Sequence, residues 1–456
     1  MRFERDDTIA AVATPPGRGA ISLIRLSGGE AHSIVATLLK NHERLPARRP
    51  LYTRLFDGDG QALDDAVVTY FPGPESYTGE DVVEISTHGS PVIVQLILDS
   101  LLEKGGRLAE PGEFTLRAFL NGKIDLAQAE AVQDLIESQT RFQAKLAHEQ
   151  LRGSLSEALA PVEKELVHVI AHLETRLEFV EDEVEPEERQ ALRKRLLKVD
   201  QRLLGMEESY RRGRIFHDGI RVVLAGKPNS GKSSIFNSLL KSERAIVTAI
   251  PGTTRDALEE VVELEGIPVT LVDTAGIREG EGLVEQLGVE RSIRQLASAD
   301  LVLFVLDSSR PFDLWDQRSW ESLRDRDYIL VENKNDLEQR LDVPSGLRDH
   351  AAGQVEVSAL KDRSLKVLLD AILHWSLPEK SVERERAVVT NIRHRECLKE
   401  SRGWLGRSLD ADEKGMSEEF VIHDLRKALS ALGQIRGETT NEEILSQIFS
   451  SFCIGK

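Results

Sequence analysis

The chain has 456 residues, 30% of them charged and 40% hydrophobic, with a formal net charge of −18. That length admits about two to four domains, each able to bury a core. With no run of about 18 apolar residues and no charged-then-apolar leader at Met1, the sequence predicts neither a membrane span nor an export signal, and a cytoplasmic location. Cys397 and Cys453 are the only cysteines, which argues against a disulfide framework, and the net acidity disfavours indiscriminate coating of nucleic acid.

From the start, Asp7 to Leu26 alternates short apolar stretches with a turn, Pro15-Pro16-Gly17-Arg18-Gly19. Val67–Phe71 and Val82–Ser86 read as strands and Pro91–Leu102 as a helix, so the first 120 or so residues predict an α+β domain. Arg25 and Glu84 stand inside strand-like runs, where a charge needs a partner or a ligand unless it faces solvent. From Asp125 the pattern becomes helical. Leu151, Leu155, Leu159, Val162, Leu166, Val169, Leu173, Leu177 and Val180 mark one long stripe, with a kink or break expected near Pro161. The acidic run Glu181–Glu188 leads into a further helix from Arg189 to Arg212.

The stretch Arg221–Ala225 predicts a strand, and Gly226-Lys227-Pro228-Asn229-Ser230-Gly231-Lys232-Ser233 follows it, ahead of a helix opening at Ser234. This is a phosphate-binding loop: its glycines bring successive backbone N–H groups onto phosphate at a helix N-terminus. Lys232 is expected to reach the β- and γ-phosphates and Ser233 to hold Mg²⁺. Asp273-Thr274-Ala275-Gly276 follows a second apolar run, placing a carboxylate for Mg²⁺ and an N–H for the γ-phosphate. Asn333-Lys334-Asn335-Asp336 follows a third run. The Asp336 carboxylate can accept from both N1–H and the 2-amino group of guanine, donors that adenine lacks. Ser358-Ala359-Leu360 supplies backbone N–H groups beside the base. The loop Thr248-Ala249-Ile250-Pro251-Gly252-Thr253-Thr254 is the expected switch, with the Thr254 hydroxyl joining Ser233 on Mg²⁺ and Arg255 a further candidate contact. In this order the four motifs predict a GTPase domain.

Beyond it, Arg393–Leu409 and Glu418–Leu432 have helical apolar faces, and Thr440-Asn441-Glu442-Glu443 reads as a capping box. Helical sequence on both sides suggests one helical domain with the GTPase inserted in it; separate helical domains in series are the other arrangement. The fold class expected is multidomain α/β and α: an N-terminal α+β domain (1–121), a discontinuous helical domain (122–216 and 381–456) and an inserted Ras-like domain (217–380) whose mostly parallel mixed sheet is flanked by helices.

Asp7-Thr8-Ile9 with the Pro15–Gly19 turn, the stretch Pro111-Gly112-Glu113-Phe114-Thr115-Leu116-Arg117-Ala118-Phe119-Leu120-Asn121-Gly122-Lys123, the GTPase motifs and the ending Phe452-Cys453-Ile454-Gly455-Lys456 together resemble the tRNA modification GTPase family MnmE, also called TrmE. The resemblance implies an enzyme acting with the flavoprotein MnmG (GidA), in a heterotetramer-type complex, to add an aminomethyl or carboxymethylaminomethyl group at carbon 5 of the wobble uridine of certain tRNAs. It also implies a homodimer, and an N-terminal domain that binds 5-formyl-tetrahydrofolate or a related folate through Arg25, Glu84, Lys123 and Lys456.

A glutamine follows the glycine of this motif in Ras-like enzymes and orients the attacking water; here Ile277 stands in that place. By resemblance Glu285 positions the water, and Asn229 ligates K⁺ with oxygens of Thr248, Ile250 and Thr253, supplying the charge of an absent arginine finger. Cys453 reads either as a thiol near the one-carbon chemistry or as a small hydrophobe seating the tail. The rival class is a GTP-gated RNA-binding or ribosome-assembly protein with no covalent chemistry; a membrane-remodelling GTPase would need a basic or apolar insertion element that the acidic chain does not offer.

Overall fold

The computed structural model describes residues 7–40, 44–178, 186–242, 258–273, 295–359, 362–377, 389–439 and 442–455. The chain packs as two units: Met1–Gln133 with Gln150–Glu181 and Trp404–Lys456, and Asp134–Glu149 with Asp182–Gly403.

In the first unit, strands β1 (Ile9–Val12), β2 (Ile21–Ser27), β3 (Leu51–Phe56), β4 (Ala62–Phe71), β5 (Val82–His88) and β6 (Arg107–Leu108) form one sheet in the order β3-β4-β5-β2-β1-β6. Every pairing is antiparallel except β1 with β6. The period of two sorts the side chains. Ile24, Leu26, Val83 and Ile85 turn to the face covered by helices α1 (Ala31–Ala36) and α2 (Pro91–Glu103), where Ile97 and Leu101 complete the core. Ile9 and Ala11 turn to the other face and meet Phe114 of α3 (Glu113–Leu120). Arg25 and Glu84 lie directly opposite each other across β2 and β5.

A cluster of charges, with Glu113 and Arg117 buried and the others partly exposed, ties α3 to this sheet. Arg107 contacts Asp7 at 2.6 Å and Glu113 at 2.7 Å. Arg117 contacts Asp7, Glu80 at 3.1 Å and Glu113 at 3.1 Å. The Glu113 side chain is only 2% exposed. Burial alone would raise the Asp7 and Glu113 carboxyls, but the guanidinium hydrogen bonds outweigh it and hold both below their ordinary values.

The helical stripe divides differently from expectation. Helix α4 (Leu126–Glu137) is followed by α5 (Arg141–Leu151) and α6 (Ser154–Glu178), so the break falls at Arg152-Gly153 and α6 runs unbroken through Pro161. Proline forfeits one backbone bond, yet Leu155, Leu159, Val162, Leu166, Val169 and Leu173 are all buried on either side of it, and that packing holds the helix. Val180 and the acidic run up to Glu185 lie outside the described residues. Helix α7 spans Pro186–Asp218, longer at both ends than the sequence predicts.

The second sheet comprises β7 (Ile220–Ala225), β8 (Leu258–Leu264), β9 (Ile267–Asp273), β10 (Leu301–Asp307), β11 (Tyr328–Asn333) and β12 (Gly353–Val357), in the order β12-β11-β10-β7-β9-β8. Only β8 runs antiparallel. Strands buried on both faces read as continuous apolar runs, and Leu301–Leu306 and Tyr328–Val331 do so. One face packs on α8 (Lys232–Ser242) and, beyond α9 (Leu314–Glu321) and α10 (Ser345–Asp349), on α11 (Asp362–Ser376); the other buries Phe304, Leu323, Tyr328 and Leu347. This is the mixed, mostly parallel sheet flanked by helices that the motif order predicts. After it come α12 (Ile392–Glu413), α13 (Glu418–Arg436), which packs along α6, and α14 (Glu442–Ser450). Thr440 and Asn441 of the expected capping box lie outside the described residues.

Within the second unit, the segment joining α4 to α5 grips this sheet from below. The Thr140 hydroxyl donates to the carbonyl of Gly266, in the β8–β9 turn, at 3.0 Å. Gly266 has φ +89°, and a Cβ there would lie 2.9 Å from that of Phe142. At the end of α7, His217 lies 3.0 Å from Asp134 and 2.7 Å from Asp218, and their hydrogen bonds push its pKa up to about 10.

Replacing Arg117 by methionine removes one of the two cations facing Asp7, Glu80 and Glu113. The expected cost is about 3 kcal/mol at pH 7, read as a lowered melting midpoint. Because the Asp7 and Glu113 carboxyls titrate below their ordinary values of 3.8 and 4.5, the stabilisation is present above those values and lost as pH falls through the folded-state ones. The gap between wild type and variant therefore narrows on acidification.

Candidate nucleotide site

The phosphate-binding loop leaves β7 and ends at the first turn of α8, at the carboxyl edge of the sheet, where open α/β folds place ligands. The Lys232 ammonium is 5% exposed as a residue and donates to the carbonyls of Gly226 at 2.8 Å and Lys227 at 2.7 Å, both in its own loop. Burial lowers its pKa, against the opposing pull of Asp273. The Ser233 hydroxyl donates to Oδ2 of Asp273, the last residue of β9, at 2.6 Å. A hydroxyl and a carboxylate at this distance are the hard oxygen donors that Mg²⁺ takes. Ser234 follows on the exposed side of α8.

One side chain joins the remaining motifs. Asn333, 1% exposed at the end of β11, donates from Nδ2 to the Ser230 carbonyl at 2.8 Å and accepts at Oδ1 from the Ala359 N–H at 3.3 Å. The Ala359 carbonyl in turn accepts from the Ser238 hydroxyl of α8 at 3.0 Å. Gly231 has φ +99°, and a Cβ on it would lie 2.1 Å from Asn333 Nδ2, so both backbone and space demand glycine there. Asn335 donates its N–H to the Val357 carbonyl at 3.1 Å, which brings the Ser358-Ala359 turn beside Asp336 in the chain fold. Asp336 is exposed, and the buried hydroxyls of Ser230 and Ser358 have no hydrogen-bond partner among the described residues.

Lys334 spans to the phosphate loop, donating from Nζ to the Asn229 carbonyl at 2.9 Å. Asn229 and Lys334 both have φ +65°, an unusual conformation for non-glycine residues. The structure thus draws together Asn229, Ser230, Gly231, Lys232, Ser233, Asp273, Asn333, Lys334, Asn335, Ser358 and Ala359. Thr248, Ala249, Ile250, Pro251, Gly252, Thr253, Thr254, Arg255, Thr274, Ala275, Gly276, Glu285 and Leu360 lie outside the described residues.

In the first unit, Arg25 donates to Glu84 Oε1 from Nε at 2.9 Å and from Nη2 at 2.8 Å. The strand charges therefore have each other as partners. The same guanidinium lies 5.6 Å from the Tyr77 ring centre and 5.8 Å from that of Phe114, and 3.5 Å from the Gly455 carbonyl. Lys123 donates to the Pro74 carbonyl at 2.9 Å, in the loop that carries Tyr77. Cys453 is exposed, and its carbonyl accepts the Gly112 N–H at 3.4 Å. Lys456 lies outside the described residues.

Residue patterns missed two features. Lys227 of the phosphate loop is clamped by Asp313 and, at 2.8 Å, by Asp316, a pair that also caps α9. Asp307, closing β10, pairs with Lys334 at 2.6 Å. The second carried a usable signal, since an aspartate at the end of an apolar strand is the pattern that picked out Asp273.

The chain matches the family model described as "MnmE helical domain" over residues 126–453 and that described as "GTP-binding protein TrmE N-terminus" over residues 8–123. It is 44% identical over 456 residues to the protein named tRNA modification GTPase MnmE from Koribacter versatilis, covering 99% of each chain. It is 42% identical over 451 residues to that of Aquifex aeolicus, covering 99% of this chain and all of the other. Among solved structures it resembles Aquifex aeolicus Era bound to GDP·AlF₄⁻, with 26% identity over 41% of this chain and 66% of that one and a TM-score of 0.28. Matched by both family models and 42–44% identical to the named relatives over 99% of its length, the chain belongs to the tRNA modification GTPase MnmE family.

Proposed function

We propose that the chain hydrolyses GTP as the nucleotide-driven partner of the flavoprotein MnmG (GidA), in modifying carbon 5 of the wobble uridine of certain tRNAs with an aminomethyl or carboxymethylaminomethyl group. The observation that carries the nucleotide half is the Asn333 amide, which sets the phosphate loop and the base-side turn on one frame. Full-length likeness to the named relatives carries the tRNA half.

In hydrolysis a water oxygen bonds to the γ-phosphorus as the bond from it to the β–γ bridging oxygen breaks, and charge grows on the departing GDP. Lys232 leaves its loop carbonyls for the β- and γ-phosphate oxygens. Ser233 and Thr254 would offer hydroxyls to Mg²⁺, with the Asp273 carboxylate as a further oxygen donor, and a cation held there would screen phosphate charge. Glu285 orients the attacking water and takes its proton through a bridging water. Asp336 reads guanine. Asn229, with Thr248, Ile250 and Thr253, would hold K⁺, whose charge would offset that developing on the phosphates where no arginine finger is seen in the sequence. The left-handed backbone of Asn229, fixed through its carbonyl by Lys334, supports a presenting role for that residue.

For the first domain we propose a folate bound at Arg25, Glu84, Lys123 and Lys456. Two aromatic rings flank the Arg25–Glu84 pair, a setting suited to a flat heterocycle with amide-like donors and acceptors. The bound folate would supply a one-carbon unit. The working unit is a homodimer joined to MnmG, with GTP hydrolysis coupled to pairing of the GTPase domains.

Bulk tRNA from cells lacking the protein, and from cells carrying Lys232→Ala, should lose the modified wobble uridine on nucleoside analysis; an unchanged profile would reject the tRNA role and leave the GTPase. Hydrolysis in matched KCl and NaCl should be at least about tenfold faster in KCl, and equal rates would remove K⁺ from the site.

A further inference from the structure

Strand β10 lies between the strand that delivers the phosphate loop, β7, and the strand that delivers the base-reading motif, β11. Asp307 closes β10 and stands opposite Asn333 in register. Its side chain is only 10% exposed. Oδ2 accepts from the Lys334 ammonium at 2.6 Å, while Oδ1 accepts from the Ser309 N–H at 3.0 Å and the Ser309 hydroxyl at 2.6 Å. The carboxylate is thus immobilised by its own turn before it meets the lysine. Lys334 has three N–H donors; one goes to Asp307 and one to the Asn229 carbonyl. Both residues joined by that last bond have φ +65°, a conformation that a fixed tether helps to hold.

We propose that Asp307 is a positioning residue for guanine-nucleotide retention: it anchors the Lys334 ammonium so that the base-reading loop and the phosphate loop are held in one arrangement. Asp307 touches neither base nor phosphate in this role and acts through Lys334. The proposal rests on the assignment of Lys334 and Asp336 to the nucleotide site. Without the anchor the lysine retains one carbonyl and water, and both loops gain freedom in the unliganded protein. The loss therefore falls first on how long nucleotide stays bound: Lys232, Ser233 and Asp273 are held by contacts of their own, and the Asn229 carbonyl keeps its bond to Lys334.

The test is stopped-flow release of a fluorescent GDP analogue from the full chain carrying Asp307→Ala or Asp307→Asn, with steady-state hydrolysis and melting temperature measured alongside. The expected result is release at least about tenfold faster for Asp307→Ala, the loss of a hydrogen bond to a charged group, with KM raised and kcat at saturating GTP within about twofold of wild type. Asp307→Asn keeps an acceptor without the charge and should fall between the two. Release within about twofold of wild type in both variants, at unchanged melting temperature, overturns the proposal; so does a fall in kcat matching the change in release. Should Asp307→Ala not fold, Asp307→Asn alone decides, unchanged release again being the overturning result. Asp336→Asn is run in parallel against GTP and xanthosine triphosphate. If it switches preference while the Asp307 variants do nothing, the positioning role fails alone; if it does not, the base-site assignment fails with it.

Discussion

The Asn333 amide can donate on one side and accept on the other, and the nucleotide site is built on that pairing. Its N–H takes the Ser230 carbonyl, its oxygen takes the Ala359 N–H, and Gly231 presses against it so closely that no side chain could intervene. Aspartate would offer only acceptors, and would leave a carbonyl of the phosphate loop facing a carboxylate. Leucine would strand two buried backbone groups. The loops so joined follow the ends of separate strands, and no hydrogen bond of the sheet itself reaches between them. The parallel sheet brings the motifs to one edge; the amide fixes their mutual position.

The first unit solves a similar problem with charge. Helix α3 must close over the second face of a sheet through a small apolar contact, chiefly Ile9 and Ala11 of β1 against its own Phe114. Two arginines and three carboxylates do the rest, reaching from Asp7 at the head of the domain to Glu80 in the loop before β5 and to Arg107, Glu113 and Arg117. Buried ion pairs contribute little net stability compared with apolar packing, but they tolerate few alternative arrangements. Here that strictness bears on Tyr77 and Phe114, the rings that flank Arg25: the first lies three residues from Glu80, the second beside Glu113.

Much of this was legible in the residues. The four nucleotide motifs are local, each a short run whose chemistry depends on neighbours in sequence, and the strands before them are apolar on both faces, so type and order could both be read. The helical stripe of α6 was legible for the same reason, but its limits were not. Proline weighs heavily in a local reading, whereas the buried leucines flanking Pro161 decide the outcome, and the break moved to Gly153. The partnership of Arg25 with Glu84 required the register of β2 against β5, which no short window contains. Likewise Asp307 could be seen as an aspartate ending an apolar strand, but its meeting with Lys334 depends on β10 lying beside β11. Charges whose partners are distant in sequence are where residue patterns stop being informative.

The β8–β9 hairpin has a mechanical property that follows from where it is held. Its closed end is pinned, the Gly266 carbonyl by Thr140 and the Gly266 Cα by the bulk of Phe142, while the adjoining end of α7 is locked by the His217 charge pair. Its open end runs, in sequence, into Thr248–Thr254 on one strand and Thr274–Gly276 on the other. Clamped at its tip and paired through β9 along β7, the hairpin is held on two sides. A displacement of its open end therefore meets no loose turn at the other: the Gly266 carbonyl is tied to the segment that joins α4 to α5. Any substitution that adds volume at Gly266 pushes against Phe142 and loosens that grip, far in sequence from Lys232 and Ser233.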